Sequence, residues 1–435
     1  MTANSTHLRR YRKAIERTDA LGTGESLDPR LTSFRQRAEH RLDRMREMLA
    51  TLGDPLSATP IVHVAGTSGK GSTATAIASI LTSAGYRTGL HTSPYLQVAT
   101  EKLQIDREFI DASAFAKLVN ATLDPLEATG FRPSYGQLWM AMVLSWFEEE
   151  MVDVAVIEVG AGGRFDLSNV VNPLVSVITE IGFDHTDTLG LTIEEIAWHK
   201  AGIIKPVTPV VAAVSDRTAL QVIAGEASTQ GADLHRVIPI YGDFRRTNEA
   251  TARLAVDLLG FDIERADIVE GLGRSRLPGR TETMQGDPLV VLDGAHNPQK
   301  IASLASWFAR EHPHAKPVVV AGFLESKDAR AMLQALTAFA SQFVMTEPAV
   351  EEKPPAHAAR LAELSRDLAF DGEVQVEADP MVAVDMAIDL ARRSAEPVLV
   401  TGSLYLIGNV RGRWYPDDAI LLQRTPWPRM GTLRQ

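Results

Sequence analysis

Several stretches of this chain gather residue types that can do chemistry. Gly66-Thr67-Ser68-Gly69-Lys70-Gly71-Ser72 follows the β-rich run Ile61–Ala65 and precedes a helical pattern from Thr73 to Ala84. Glycines let a backbone curl so that successive N–H groups face phosphate oxygens, and a helix N-terminus adds its positive dipole end. Lys70 supplies a point charge suited to β- and γ-phosphates. The spacing is not the common nucleotide-binding one, since the first glycine stands closer and Gly71 separates Lys70 from Ser72. A plain strand–helix turn with a surface lysine is the competing interpretation. Three glycines, a lysine and a serine at such a junction weigh against it, and the stretch predicts a nucleoside triphosphate site.

Glu158 closes the apolar run Val154-Ala155-Val156-Ile157. Such a run marks a strand buried on both faces. A carboxylate there needs a partner, because an unpaired buried charge costs several kcal/mol or neutralises itself. A magnesium ion at the C-terminal edge of a parallel sheet is one such partner; a structural salt bridge is the other. Asp184-His185 follows the strand pattern Val175–Thr179 in the same way and either converges with Glu158 or bonds within its own loop. Ser93, in Thr92-Ser93-Pro94, ends a third candidate strand. Lys200 sits among Ile196, Ala197, Ala201 and Ile204 on a helical pattern from Thr192 to Ile203. It either snorkels to solvent or serves a site, and spacing alone leaves both open.

The elements that must position these residues alternate. Strands at Asp153–Val159, Val175–Thr179 and Pro209–Val214 are interleaved with helices at Thr192–Ile203 and Ala219–Ala227, and Gly136–Glu150 is a helix rich in large apolar residues. Strands alternating with helices imply parallel βαβ units with both sheet faces covered. A second series follows Pro278-Gly279-Arg280, with strands at Leu289–Leu292, Pro317–Ala321, Phe343–Thr346, Val374–Val376 and Pro397–Val400, and helices at Ala329–Phe339 and Pro380–Arg392. The polar stretch Thr281–Pro288 reads as the linker. The fold class is therefore α/β, with residues 1–284 as an ATP-binding domain that includes two N-terminal helices (Leu8, Tyr11 and Ile15 on the first, Phe34–Leu52 on the second) and 285–435 as a smaller α/β domain.

The chain's 435 residues are long enough for two or three domains at about 150 residues each. Hydrophobic residues make up 45% and charged ones 23%, a globular balance that excludes disorder as the main state. The net charge of −11 argues against a nucleic-acid partner. The basic N-terminal segment interleaves its charges with acidic ones, as a solvated helix face does. Cysteine is absent, which removes disulfides, thiolate catalysis and cysteine-based zinc sites and fits a reducing cytosol. No signal-peptide pattern and no long apolar span is present. A cytoplasmic protein, without membrane or nucleic-acid partners, is expected.

Several motifs in one order resemble the folylpolyglutamate synthase/dihydrofolate synthase branch of the Mur-type ligases: Gly66–Ser72, Thr92-Ser93-Pro94, Glu158-Val159-Gly160 with Gly162-Gly163-Arg164, Asp184-His185, Lys200-Ala201-Gly202-Ile203-Ile204-Lys205, Pro278-Gly279-Arg280, Asp293-Gly294-Ala295-His296-Asn297-Pro298, and Gly402-Ser403-Leu404-Tyr405. The resemblance runs from about Arg41 to Tyr415. It implies a parallel-sheet, P-loop ATPase-like central domain followed by a Rossmann-like domain. It also implies an activity, the ATP-dependent addition of L-glutamate to a folate-type carboxylate through an acyl phosphate, by a monomer acting on small molecules.

The same resemblance implies roles. Residues Gly66, Thr67, Ser68, Gly69, Lys70, Gly71 and Ser72 would bind ATP, with Arg280 and Asp293 contacting the nucleotide from the second domain. Ser93, Glu158, His185 and a carbamylated Lys200 would hold two magnesium ions. His296 and Ser403 would hold the incoming glutamate, and Lys70, Lys200, His185 and His296 would form the catalytic group. Gly322, Lys327 and Asp328 match a second-domain motif without an assigned role. Three departures fall on the acceptor side. Tyr95 stands where the family usually has His, Lys102 follows Glu101 where Arg is usual, and Phe165-Asp166-Leu167-Ser168-Asn169 replaces Leu-Asp-Ala-Thr-Asn. They motivate an alternative, a ligase of the same mechanism with a non-folate acceptor. A third class, a nucleotide-binding regulator without ligation, should lack Lys200, His296 and Ser403, and all three are present.

Overall fold

The computed structural model describes residues 3–22, 33–350 and 353–430. These residues form two compact units. The first comprises residues up to Ile240, Phe244–Arg276 and Asp418–Pro428; the second comprises Tyr241–Asp243, Leu277–Asp417 and the residues after Pro428.

The first unit is built on eight strands: β1 (Ile61–Ala65), β2 (Thr88–His91), β3 (Gln104–Ile105), β4 (Glu108–Phe109), β5 (Val154–Glu158), β6 (Val175–Ile178), β7 (Val210–Ala212) and β8 (Leu234–Arg236). Their order is β4-β3-β2-β5-β1-β6-β7-β8. The six from β2 to β8 in that order are parallel, and β3 and β4 add an antiparallel edge. The chain leaves β1 toward β2 on one side and later returns to place β6 on the other. Such a reversal opens a crevice at the C-terminal ends of the strands, and the loop after β1 lies there. β1 and β5 are buried along their whole length, which explains why Val154–Ile157 of β5 reads as a continuous apolar run rather than an alternating one; in β1 the same burial encloses His63. Val62 and Val64 face the helix Lys70–Ser83 in one core. Ala65, Val159 and Ile178 face the helices Ile193–Ala201 and Arg217–Gln230 in another. The N-terminal helix Ala3–Asp19 buries Leu8, Tyr11 and Ala14 against the helix Ala112–Ala128, with the Tyr11 and Phe115 rings 5.3 Å apart.

The second unit holds β9 (Glu282–Gly286), β10 (Leu289–Asp293), β11 (Val318–Ala321), β12 (Gln342–Met345), β13 (Val374–Val376) and β14 (Val398–Thr401), in the order β13-β12-β11-β14-β10-β9. All neighbours are parallel except β9, which runs antiparallel to β10. Thr281–Pro288, expected as a linker, therefore contains a strand. Its polar composition belongs to an edge strand with no buried face on its outer side. Residue 284, the expected boundary, falls within β9, and the chain changes unit between Arg276 and Leu277.

Candidate active site

The phosphate loop is shaped by one close approach. A β-carbon on Gly66 would lie 1.9 Å from the Thr179 hydroxyl oxygen, so only glycine fits between β1 and the end of β6. The amides of Thr67 and Ser68 both donate to the Glu180 carbonyl, at 2.8 and 3.2 Å, and the Thr67 hydroxyl donates to the Gly182 carbonyl at 3.0 Å. These bonds spend the first two loop amides on the protein itself. The helix starts at Lys70 behind Gly69, which is left-handed at φ +88°. Its first turn bond is Thr73 N–H to the Gly69 carbonyl at 2.9 Å. The amides of Lys70, Gly71 and Ser72 precede that bond and have no acceptor within the helix, the condition under which a helix N-terminus can take an anion.

Lys200 does not snorkel. Its side chain is buried, with the residue 3% exposed, and its Nζ donates to the Gly66 carbonyl at 2.9 Å. Burial pushes its pKa down to about 7; Lys70 adds to the shift, while Asp184 and Asp166 oppose it. The helix that carries it begins with a capping box of Thr192 and Glu195. Lys200, Lys70 and Asp184 are thus brought to one place beside the phosphate loop. Glu158 ends β5 as the register partner of Val64, two residues before that loop. It is buried and accepts the Ser93 amide at 3.0 Å. His185 is exposed, holds a left-handed backbone at φ +52°, and donates its amide to Asp184 Oδ1 at 3.0 Å.

Among the described residues, no three His, Cys, Asp or Glu side chains form a ready-made metal cage. Magnesium does not need one, since it keeps several waters and leans on one or two carboxylates and on substrate phosphates. A buried carboxylate at Glu158, adjoining Ser93 and the phosphate loop, fits that mode of binding.

The second unit carries its own cluster. Asp293 ends β10 opposite Thr401 of β14, so the loops 294–297 and 402–404 leave neighbouring strand ends. Asp293 is buried and accepts the amides of Thr281 and Ala295, each at 2.8 Å. Burial raises its pKa, opposed by Arg280, the two amides and Lys300. The turn bearing Arg280 is bonded on both sides: Gly279 donates its amide to Glu282 at 2.8 Å, and its carbonyl accepts Gly294 N–H at 2.8 Å. Glu282 in turn pairs with the buried Arg411 through two bonds of 2.8 and 2.9 Å. His296 precedes the helix Pro298–Glu311, which Asn297 caps. Ser403 is buried and caps the helix Leu404–Arg411.

Comparison with known proteins agrees with this arrangement. Residues 64–240 match the Mur ligase middle domain, and residues 279–404 match the Mur ligase glutamate ligase domain. The chain is 34% identical to the folylpolyglutamate synthase of Lacticaseibacillus casei over 415 residues, covering 86% of this chain and 94% of that one. It is also 34% identical over 420 residues to the dihydrofolate synthase/folylpolyglutamate synthase of Bacillus subtilis, with 86% and 94% covered. The chain belongs to the folylpolyglutamate synthase/dihydrofolate synthase family of Mur ligases. The structure of Mycobacterium tuberculosis folylpolyglutamate synthase complexed with ADP superposes with a TM-score of 0.83 at 27% identity, over 94% of this chain and 99% of that one.

Membership makes the chain an ATP-binding ligase with the two α/β domains of that family. The site residues expected from the sequence divide between the two units. Gly66–Ser72, Ser93, Glu158, His185 and Lys200 lie in the first, and Arg280, Asp293, His296 and Ser403 in the second. Sequence reasoning missed the groups that hold these residues. Glu180 anchors the loop through its carbonyl oxygen, a backbone contact with no side-chain signature. Asp166 interacts with Lys200 and accepts the amides of Ala161 and Ser168, each at 3.0 Å. The Glu282–Arg411 pair joins residues far apart in the chain, and only the fold reveals it. No helix is long and apolar enough to cross a membrane among the described residues.

Proposed function

We propose that this ligase joins L-glutamate to a folate-type carboxylate at the expense of ATP, through an acyl phosphate. The observation that carries the reading is Lys200, an otherwise costly buried cation held on the phosphate loop at Gly66. An oxygen of the acceptor carboxylate attacks the γ-phosphorus, the bond to ADP breaks, and an acyl phosphate forms. The glutamate amine then attacks the acyl carbon, and the tetrahedral intermediate expels phosphate with the bonding pair as the amine loses its proton. These steps need positioning and charge neutralisation more than a side-chain nucleophile. Lys70 and the amides of the helix N-terminus would take the phosphates, with Arg280 and Asp293 on the nucleotide. His296 and Ser403 would hold the glutamate.

Two magnesium ions, held by Ser93, Glu158, His185 and a carbamylated Lys200, would neutralise charge on the transferring phosphoryl group. Carbamylation requires a neutral amine to attack carbon dioxide, with loss of a proton. The lowered pKa of Lys200, about 7, keeps that form available near neutrality. The acidic, cysteine-free chain is proposed to work as a cytoplasmic monomer on small molecules, without nucleic acid or membrane.

One observation favours the second reading, a non-folate acceptor. Two of the departures from the family pattern touch: the Lys102 ammonium lies 5.3 Å from the Tyr95 ring centroid, and 5.0 and 4.1 Å from those of Tyr135 and Trp139. A caged point charge there replaces a planar guanidinium fork, which alters what that wall can recognise. Mass analysis of products formed from ATP, magnesium, glutamate and a panel of carboxylates separates the two. Dihydropteroate or tetrahydrofolate gaining one glutamyl residue supports the folate reading. Product from another carboxylate, with none from any pterin, replaces it.

A further inference from the structure

His63 is an imidazole where a strand covered on both faces would ordinarily carry an aliphatic side chain. It stands in the middle of β1, between Val62 and Val64, and has no exposed surface. Its Nε2 lies 2.8 Å from the Ser168 hydroxyl oxygen. That hydroxyl donates in turn to Asp166 Oδ1 at 2.5 Å. A carboxylate only accepts, so the hydroxyl proton is committed to Asp166 and the oxygen receives one from Nε2. The ring is therefore the neutral Nε2–H tautomer, and burial keeps it neutral by pushing its pKa down to about 3. Its Nδ1 is buried with no hydrogen-bond partner. Enclosing a ring with one nitrogen unsatisfied is unfavourable, so packing alone does not account for a histidine here. Nor is Ser168 an activated nucleophile, since its proton points to the carboxylate and away from the imidazole.

The chain of bonds ends on a carboxylate beside Lys200. Asp166 also accepts the Ser168 amide on Oδ1 and the Ala161 amide on Oδ2, each at 3.0 Å. It interacts electrostatically with Lys200. A β-carbon on Gly160 would lie 3.2 Å from Asp166 Oδ2 and 3.9 Å from the Ser93 hydroxyl oxygen, so Asp166 adjoins Ser93 as well. The same loop is tied to the helix that carries Lys200. The Arg164 amide donates to the His199 carbonyl at 2.6 Å, and Asn169 Nδ2 donates to the Gly202 carbonyl at 3.1 Å. Those ties hold the backbone. The carboxylate is aimed by the Ser168 hydroxyl, and His63 sets the direction of that hydroxyl.

We propose that His63 is a positioning residue for the acceptor: its Nε2–H holds the Ser168 hydroxyl on Asp166, and so fixes the carboxylate that the loop 160–169 presents on the acceptor side of the site. The proposal rests on the folate reading and on the placement of Phe165–Asn169 toward the acceptor. It adds a residue of the central strand that touches no substrate and acts through two others. Without the imidazole, the hydroxyl is free to turn to another acceptor, and Asp166 loses a fixed partner.

The test is steady-state ADP release by the full chain with dihydropteroate, and separately tetrahydrofolate, varied at saturating ATP, magnesium and glutamate. His63→Leu, of similar size but with no donor, is expected to raise KM for the acceptor about tenfold, the worth of one hydrogen bond to a charged group, with KM for ATP unchanged. His63→Gln, whose amide nitrogen can take the place of Nε2, restores KM toward the parent value. Ser168→Ala matches His63→Leu, and the double variant is no worse than either alone, as two links of one chain require. An unchanged acceptor KM in a folded His63→Leu, an equal rise in KM for ATP, or a His63→Gln no better than His63→Leu overturns the proposal while leaving the ligase reading intact. A parent protein that turns over neither pterin overturns the folate reading and this proposal together. Should His63→Leu fail to fold, Ser168→Ala and Ser168→Thr are compared on the same terms, with equal acceptor KM values counting against it.

Discussion

Lys200 Nζ donates to the Gly66 carbonyl oxygen at 2.9 Å, tying the helix Ile193–Ala201 to the first residue of the phosphate loop. If that bond were its only purpose, an arginine could supply a donor in its place. A carbamate, by contrast, requires a primary amine. Lys200→Ala and Lys200→Arg should therefore both lose turnover, by on the order of a hundredfold or more as expected when charge stabilisation at a transferring group is removed. Activity of the parent protein should also fall in buffers stripped of carbon dioxide and recover with bicarbonate. Near-parental rates in Lys200→Arg remove the carbamate from the account.

Gly66→Ala is expected to weaken nucleotide binding, because its β-carbon would be placed 1.9 Å from the Thr179 hydroxyl oxygen. Either the loop or the end of β6 must then move, and the amides of Lys70–Ser72 lose their common aim. Titration with ADP should show a dissociation constant raised by at least about tenfold, the worth of one charge-assisted hydrogen bond. Unaltered affinity would show that the loop tolerates the shift.

The contrast between these two residues shows what could be read without a structure. The phosphate loop is local: glycines, a lysine and a strand–helix junction lie within a dozen residues, and the expectation of a phosphate site follows from those residue types at that junction. Strands β1, β5, β6, β10 and β11 were legible for a related reason, since burial makes them predominantly apolar, with a single polar residue in each of the first four. Lys200 was ambiguous, because an apolar helical setting suits a snorkelling lysine and a buried one equally well. Only the packing against Gly66, 134 positions away, decides between them. β9 was hidden because an edge strand tolerates polar residues, and it read as a linker. The contact of Lys300 Nζ with His296 Nε2 at 2.9 Å was hidden as well, because a lysine in the first turn of a helix has no distinguishing sequence signal.

Arg411 and Glu282 form a buried ion pair, with side-chain exposures of 1% and 9%, that holds the turn bearing Arg280. Breaking one partner of such a pair leaves an uncompensated buried charge and costs about 3–5 kcal/mol. Glu282→Gln should lower the stability of the second unit by an amount in that range, read from urea unfolding, and raise KM for ATP through the loosened turn. The double variant Glu282→Gln with Arg411→Met should recover part of the stability but not the KM. A Glu282→Gln protein with parental unfolding and parental KM contradicts a positioning role.

Two buried histidines set an acid limit. Burial pushes the pKa of His63 down to about 3 and that of His91 to about 4. Below pH 6.5 the unfolded chain takes up protons that the folded chain refuses until those lower values are reached. Stability is therefore lost as pH falls from 6.5 toward 4, at about 1.4 kcal/mol per pH unit for each histidine. His91→Asn, which can keep the donor to the Lys102 carbonyl now made by Nδ1, should flatten that slope by one histidine's share. Unfolding curves between pH 7 and 4.5 with an identical slope in the variant contradict the assignment of His91 as a neutral buried ring.

The central claim, that ATP cleavage serves amide formation between glutamate and a folate-type carboxylate, is tested most directly by ADP release from the purified protein with each substrate omitted in turn. The account predicts ADP release that requires glutamate and dihydropteroate or tetrahydrofolate together, with one glutamylated product formed per ADP. ADP release that ignores both, or that depends on a carboxylate unrelated to folate while every pterin is inert, contradicts it.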